Sequence, residues 1–391
     1  MFGDLSIADF LRDYWQQKPL FVKGAFADFQ PPVTPDGLIE LATRPDTVSR
    51  LIQQTGGDHP WQLSDGPFTR RELKAAMQPG EKWSLLVQEI DQHLPAAASL
   101  MQRFAFVPLW RMDDLMASFA PAGGGVGAHT DNYDVFLIQG AGERTWRVGA
   151  APLSADDEVL IDDLDVTVID TEASEGFEWG SEYHVEPGDL LYLPPRWAHE
   201  GVALTDCLTL SVGFRAPSHQ DLLAAVLERA LVELPAAFYT DPPLAPTTAP
   251  GHIDAQALAQ VRATLTTLLT DEDALAETFG RLVTERRRFV EDDESNWIEA
   301  DEAIEQLQNG ASLARTPSAR MAYVDHADGS RTLFAAGEAF HLDADLAWAA
   351  PLLADASTID ATALAPHLES PDLSDLVATL ISDGVLVFTA E

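Results

Sequence analysis

The chain has a single cysteine, Cys207, and only four lysines, Lys18, Lys23, Lys74 and Lys82, among its 391 residues. One cysteine excludes a disulfide framework and a cysteine-built zinc site, and it fits a reducing compartment, so a cytoplasmic location is expected. No apolar run reaches the roughly 18 residues that a membrane span requires, and no membrane partner is expected. The opening MFGDLSIADFLRDYWQQ carries acids early and no basic stretch leading into an apolar one, unlike a signal peptide. Positive charge is scarce throughout: 24 Lys and Arg face 63 Asp and Glu, a formal net charge of -39. Such a surface repels nucleic-acid phosphates, so no direct nucleic-acid contact is expected, and it attracts basic partners. Salt adaptation or plain solubility is the other source of such acidity.

What is present is enough for a sizeable core. The chain is 46% hydrophobic, and its length predicts two or three domains. Ile7, Phe10, Leu11 and Trp15 recur at helical spacing, Lys18-Pro19 stops the pattern, and Leu20-Phe21-Val22 reads as a strand. Helical patches follow at 36–43, 69–77 and 95–104, with a strand at 83–87. From 115 to 215 short apolar runs alternate with Gly, Pro and Asp, at 115–119, 135–138, 145–148, 166–169, 190–193 and 208–214. Evenly spaced short strands of this kind predict a β-sandwich or barrel.

Beyond Arg215 the spacing turns helical at 220–234, 255–269 and 271–290, interrupted by the Pro-rich DPPLAPTTAPG at 241–251. From 298 a small α+β unit is expected, with a helix at 303–307, strands at 320–324 and 332–334 joined across Asp328-Gly329, and a last strand at 385–388. Helices preceding a short hairpin describe a winged-helix-like module. The fold class is therefore α+β, divided at 1–217, 218–297 and 298–391.

Of ten histidines, two stand at telling positions. His129-Thr130-Asp131 places an imidazole and a carboxylate two residues apart, on one face of an extended chain, just after the glycine-rich PAGGGVG at 121–127. Downstream, Gly188-Asp189 opens an apolar run that ends in Pro194-Pro195 and leads through Trp197 to His199. Two histidines and one carboxylate make the facial triad of non-haem Fe(II) enzymes, which leaves coordination positions open. If the co-substrate is 2-oxoglutarate, its distal carboxylate needs a cation inside the barrel. Arg144, 15 residues after His129 on the next strand-like run, is the first candidate. Arg147 points to the opposite face, which leaves Arg215 as the second. Thr209 and Ser211 alternate with Leu208 and Leu210, so their hydroxyls share one face and could assist.

Several stretches together resemble the JmjC-type ribosomal oxygenases, and within them the bacterial arginine hydroxylases of ribosomal proteins. They are FLRDYWQQKPLFV at 10–22, WRMDDLMASF at 110–119, GGGVGAHTDNYDVFLIQG at 123–140, Gly188–Pro195 with His199-Glu200-Gly201, and SVGFRAP at 211–217. The resemblance implies a double-stranded β-helix of the JmjC/cupin type, then a helical dimerisation segment and a C-terminal winged helix. It implies Fe(II) on His129, Asp131 and His199, 2-oxoglutarate and dioxygen as co-substrates with Arg144 on the co-substrate, and a homodimer. The substrate it implies is an arginine of large-subunit ribosomal protein sixteen, hydroxylated at its β-carbon. Asp114, Asp134 and Glu200 are the acids closest in sequence to the motif strands, and with Tyr133 they are candidates to receive the substrate guanidinium. Two other readings stay open: a JmjC enzyme that hydroxylates histidine or asparagine or removes a methyl group, and a cupin and winged-helix interaction protein without activity.

Overall fold

The computed structural model describes all residues except 56–60, 162–166, 216, 234–236, 242, 244–250, 268, 287–296 and 390–391. It divides into two compact units, Met1–Ala216 and Pro217–Glu391.

The first unit begins with α1 (Ile7–Asp13), capped by the Ser6 hydroxyl, and β1 (Leu20–Val22), as the early apolar spacing predicts. Then come α2 (Pro35–Leu41), β2 (Ser49–Gln54), β3 (Trp61–Asp65), α3 (Arg70–Ala76), β4 (Lys82–Val87), α4 (Ile90–His93) and α5 (Pro95–Met101). Thr69 and Glu72 form a reciprocal capping box at the start of α3, an arrangement that stabilises a helix by about 1 kcal/mol. The remaining strands are β5 (Met112–Ala120), β6 (Val135–Ala141), β7 (Arg144–Gly149), β8 (Trp179–Val185), β9 (Leu190–Leu193), β10 (His199–Ala203) and β11 (Cys207–Phe214).

These strands build one large sheet, in the order β1-β9-β6-β11-β5-β4-β2-β3, and a smaller one, β10-β7-β8. Every pairing is antiparallel. Side-chain alternation sends the two faces of the large sheet to different partners. Phe136, Ile138, Leu208, Leu210 and Val212 pack outward into a core shared with Phe10, Leu38 and Leu100 of the helices. Val135, Leu137, Leu191 and Leu193 pack inward against Trp146, Val148 and Val185 of the small sheet. The result is the double-stranded β-helix that the sequence led us to expect, with its interior between the two sheets.

In this unit four strands differ from the expectation by being additional to it: β2, β3, β8 and β10. The expected strand at 166–169 is absent as such. Ile169 makes only an isolated bridge to Leu160, and Val166 falls outside the described residues.

The second unit opens with α6 (His219–Glu233), α7 (Ala255–Thr267) and α8 (Glu272–Thr284). The helix expected at 271–290 ends earlier, at Thr284, because Glu285 leaves the helical conformation (φ -54°, ψ 140°), and most of the Pro-rich break lies outside the described residues. After α9 (Ala300–Gln308) come β12 (Ser312–Arg315), β13 (Met321–Asp325), β14 (Arg331–Ala335), β15 (Glu338–Leu342), α10 (Ala349–Asp355), β16 (Thr358–Ile359), α11 (Ala361–Leu364), α12 (Pro371–Ser382) and β17 (Leu386–Thr389). Strands β13 and β14 pair across Asp328-Gly329, as expected, and β15 extends them. Helix α8 packs on this three-stranded sheet. The contact needs a glycine, because a Cβ at Gly280 would lie 2.4 Å from the Phe334 ring.

Candidate metal centre

His129, Asp131 and His199 converge, with one potential ligand atom from each lying within 4.8 Å of the others. Backbone pairing brings them together. His129 and His199 form an antiparallel bridge in which each N–H donates to the other's carbonyl, at 3.0 and 2.9 Å. Their rings lie 4.2 Å apart, and His199 Nε2 is 3.7 Å from Asp131 Oδ2.

Both imidazoles are oriented by a backbone carbonyl. His129 Nδ1 donates to Gly127 and His199 Nδ1 to Trp197, each at 3.0 Å. A carbonyl can only accept, so the proton is fixed on Nδ1 and the Nε2 lone pair is left for a metal. Burial, and then the neighbouring His129, push the pKa of His199 down to about 4, so it is neutral near pH 7. A neutral imidazole is the form that binds metal.

Arg144 lies on β7 with Trp146 and Val148 on the buried side of the strand, and only 5% of it is exposed. Its guanidinium lies 5.3 Å from the Trp146 ring centre, and that ring lies 5.7 Å from His199. Its Nε and Nη2 are buried without a hydrogen-bond partner among the described residues. An unpaired buried cation is costly, and its two free N–H groups match the fork of a carboxylate. Room for the Trp146 ring depends on Gly201, where a Cβ would come within 2.6 Å of it.

Thr209 and Ser211 stand on one face of β11, opposite Gln139 and Leu137 of β6 and Ser118 and Met116 of β5. Leu137 packs inward, so this face lines the interior. The Thr209 hydroxyl donates to Gln139 Oε1 at 3.1 Å. Gln139 and Ser118 were missed in the sequence reading. Their place two residues from an apolar inward neighbour is the signal that would have found them.

The four candidates for the substrate guanidinium part ways. Tyr133 is 42% exposed. Desolvation of its hydroxyl, then the hydrogen-bonded Asp131 carboxylate, hold the phenol protonated far above its usual range. Asp114 is half-buried and accepts the Glu89 N–H at 3.1 Å.

Asp134 must be withdrawn. It is completely buried, accepts from Tyr192 Oη (2.6 Å), Arg111 Nη2 (2.9 Å) and Gln16 Nε2 (3.0 Å), and has no route to a substrate. Glu200 is ion-paired with Arg147 on the neighbouring strand, so its charge is already met by a cation of the protein itself. Arg215, the reserve cation, lies 3.7 Å from Asp113 and so faces a carboxylate already.

A cavity of about 610 Å³ between α6, α8 and the β14–β15 turn is lined by Asp221, Glu228, Arg229, Glu277, Arg281 and Glu338. Its Arg281 is bridged to Glu277 and Glu338, and no metal-binding group occurs there among the described residues.

The JmjC domain family matches residues 99–222, and the ROXA-like winged helix family matches 267–387. The chain is 34% identical to the ribosomal protein uL16 3-hydroxylase of Escherichia coli K12, over 98% of each protein. It is 39% identical to a probable ribosomal oxygenase of Haemophilus influenzae over 56% of this chain and 51% of that protein. Among solved structures it is similar to E. coli YcfD, with a TM-score of 0.85, 33% identity and 99% of each chain covered. The YcfD ribosomal oxygenase in complex with cobalt and 2-oxoglutarate matches at a TM-score of 0.83 over the same share. Full-length kinship at this identity, on a barrel whose interior holds a His-X-Asp…His cluster, is decisive: the chain belongs to the JmjC-type ribosomal oxygenases.

Proposed function

We propose that the protein is an Fe(II)- and 2-oxoglutarate-dependent oxygenase that hydroxylates the β-carbon of an arginine in a large-subunit ribosomal protein of the uL16 type. The observation that carries this reading is Arg144, a buried guanidinium with two free N–H groups in a barrel that also holds three convergent metal donors. The donor set suits Fe(II): two imidazole nitrogens and one carboxylate oxygen, all from the protein, with further coordination positions left for small molecules. When bound, iron with 2-oxoglutarate and dioxygen supplies an oxidant able to hydroxylate an unactivated carbon, releasing succinate and carbon dioxide.

The chain's own residues do the rest. His129, Asp131 and His199 hold the metal, and their backbone-anchored Nδ1–H groups keep the imidazoles from rotating. Arg144 receives the distal carboxylate of 2-oxoglutarate, with the Trp146 ring beside it excluding water, and Thr209 and Ser211 line the same interior. Tyr133, exposed next to the metal carboxylate, and Asp114 behind it offer a ring face and a negative charge to the substrate arginine. The strongly acidic surface favours encounter with a basic ribosomal protein.

Helices α6 and α7 support a homodimer, because each carries an exposed apolar row: Leu223, Leu227 and Leu231 on one, Leu258, Val261 and Leu265 on the other. A three-part division at 217 and 297 and a cytoplasmic setting, where ribosomal proteins and a lone reduced cysteine belong, complete the proposal.

The test is turnover of the Fe(II)-loaded protein with 2-oxoglutarate and uL16. Mass spectrometry should find one added oxygen on an arginine, matched by succinate. A methyl loss, an oxygen on histidine or asparagine, or no succinate at all would each refute the assignment.

A further inference from the structure

One side-chain network joins the two metal-ligating segments, and neither the motif nor the resemblance includes it. Arg196 lies three residues before His199 with φ of 66°, a left-handed conformation uncommon outside glycine. Its N–H donates to the carbonyl of Asp131 at 2.7 Å, and its carbonyl accepts from Leu153 at 2.8 Å. From this fixed backbone the guanidinium reaches Glu158 Oε2 (2.9 Å), the Leu153 carbonyl (3.0 Å) and Asn132 Oδ1 (3.3 Å). The other oxygen of Glu158 accepts the hydroxyl of Thr130, at 2.5 Å. Thr130 is the residue between His129 and Asp131. The pair is shielded, with the Arg196 and Glu158 side chains 22% and 15% exposed.

The segment between β7 and β8 that carries Glu158 is anchored at the same place by packing. Ile169 N–H donates to the Ala128 carbonyl at 2.8 Å. Leu153 and Ile169 pack with Ala128 and Ala198, the residues immediately before the two metal histidines. Both histidine segments are therefore held from behind by one insertion, and Glu158 and Arg196 are its only ion pair at that contact among the described residues.

We infer that Glu158 and Arg196 are positioning residues for the metal centre. The pair clamps Thr130 to the turn that delivers His199, and so sets the separation of the donors before any metal arrives. This rests on the reading of His129, Asp131 and His199 as metal ligands. Neither residue supplies a donor atom. Their contribution is preorganisation, and changing such outer partners of a metal site weakens binding by about 10- to 100-fold.

The test is titration of the metal-free protein with Co(II), followed by visible absorption, alongside its melting temperature. Glu158→Gln keeps size and an acceptor for Thr130 but removes the charge that Arg196 grips. Thr130→Val removes the hydroxyl. The Co(II) Kd should rise about 10-fold or more in Glu158→Gln, with altered absorption bands, and in the same direction by less in Thr130→Val. A pair that merely stabilises the fold would lower the melting temperature and leave the Kd and the spectrum at wild-type values. That result in Glu158→Gln overturns the inference, and if this variant does not fold, Thr130→Val decides on the same criterion. Wild-type protein that bound no Co(II), or an Asp131→Ala variant that bound it unchanged, would instead sink the metal-centre reading, and the clamp with it.

Discussion

Arg147 of β7 stands directly opposite Glu200 of β10, and its Nε donates to that carboxylate at 3.1 Å while its guanidinium lies over the Trp179 ring. Arg144, three residues earlier on the same strand, faces the other way and has no such partner. Two arginines on one strand are thus divided between an outer ion pair and an inner guanidinium whose Nε and Nη2 can bind an anion. Arg144→Ala should raise the 2-oxoglutarate requirement steeply, since losing one partner of a buried charge pair costs roughly 2–5 kcal/mol, while metal affinity should change little. Arg147→Ala should leave the 2-oxoglutarate requirement near wild type. Calorimetric titration of 2-oxoglutarate into the Mn(II)-loaded variants measures both, and similar behaviour of the two would remove Arg144 from its role.

His129→Ala, Asp131→Ala and His199→Ala should each abolish turnover and leave a folded barrel, because the core of the two sheets does not depend on metal. Activity assays paired with circular dichroism decide this. The depressed pKa of His199 adds a pH signature. In the metal-free protein the imidazole resists protonation down to about pH 4, whereas in the unfolded chain it takes up a proton near pH 6.5. Its contribution to stability is therefore complete above about pH 6.5 and is lost as pH falls towards 4. Metal-free His199→Phe should show a flatter melting profile across that window than metal-free wild type.

Asp134 was a candidate for substrate contact on its sequence position alone, and the structure makes it a hub of the core instead. Removing it takes the carboxylate from Arg111 Nη2, on a side chain 14% exposed, and from the Tyr192 hydroxyl. Breaking a buried pair in this way costs roughly 3–5 kcal/mol, so Asp134→Ala should lower the melting temperature sharply. Asp114→Ala should melt closer to wild type and lose affinity for the basic substrate. A destabilised Asp114→Ala with normal substrate affinity would reverse the two assignments.

The proposed dimer rests on α6 and α7, whose apolar rows face solvent. Leu231 and Val232 are 82% and 86% exposed, far more than an isolated helix surface requires. Light scattering should therefore return about twice 42.5 kDa, and Leu227→Glu with Leu231→Glu should shift the mass to that of a single chain. A constant single-chain mass across a wide concentration range contradicts the dimer.

How much of this was legible beforehand follows from where each strand lies. Strands β6, β9 and β11 are buried on both faces: β9 is wholly apolar, β6 opens on four apolar residues, and β11 alternates apolar residues with small hydroxyls, so their positions were evident. Strand β8, with the sequence WGSEYHV, lies at the edge of the small sheet and is mostly exposed, and β3 ends the large sheet in the same way. Edge strands carry little apolar signal, and both were missed. The triad was legible because its ligands sit inside short motifs. Glu158 and Arg196 were not, because their partnership spans 38 residues and depends on a left-handed backbone that no spacing rule announces. The same limit misplaced Asp134: sequence proximity to a motif says nothing about which face a carboxylate takes, nor, for Glu200, which arginine already holds it.

The net charge of -39 remains to be divided between solvation and recruitment. Many of the acids are occupied: Asp9 and Asp13 by Arg12, Asp46 by Arg44, Glu186 by Lys23, Asp325 by Arg331. Exposed pairs of this kind add little stability, and the remaining acids set the long-range field. If that field recruits a basic ribosomal protein, raising salt should slow capture of the intact protein, since screening shortens the reach of the field to about 10 Å at 0.1 M. A short peptide around the same arginine, with little net charge, feels that field only weakly and should lose much less. The ratio of kcat/KM for protein and peptide should therefore fall as salt rises, while kcat for each stays level, because screening acts on encounter and leaves the buried site untouched. Parallel decline of both substrates would mean that the acidity serves solubility or salt adaptation and that substrate choice rests on the mouth of the barrel alone.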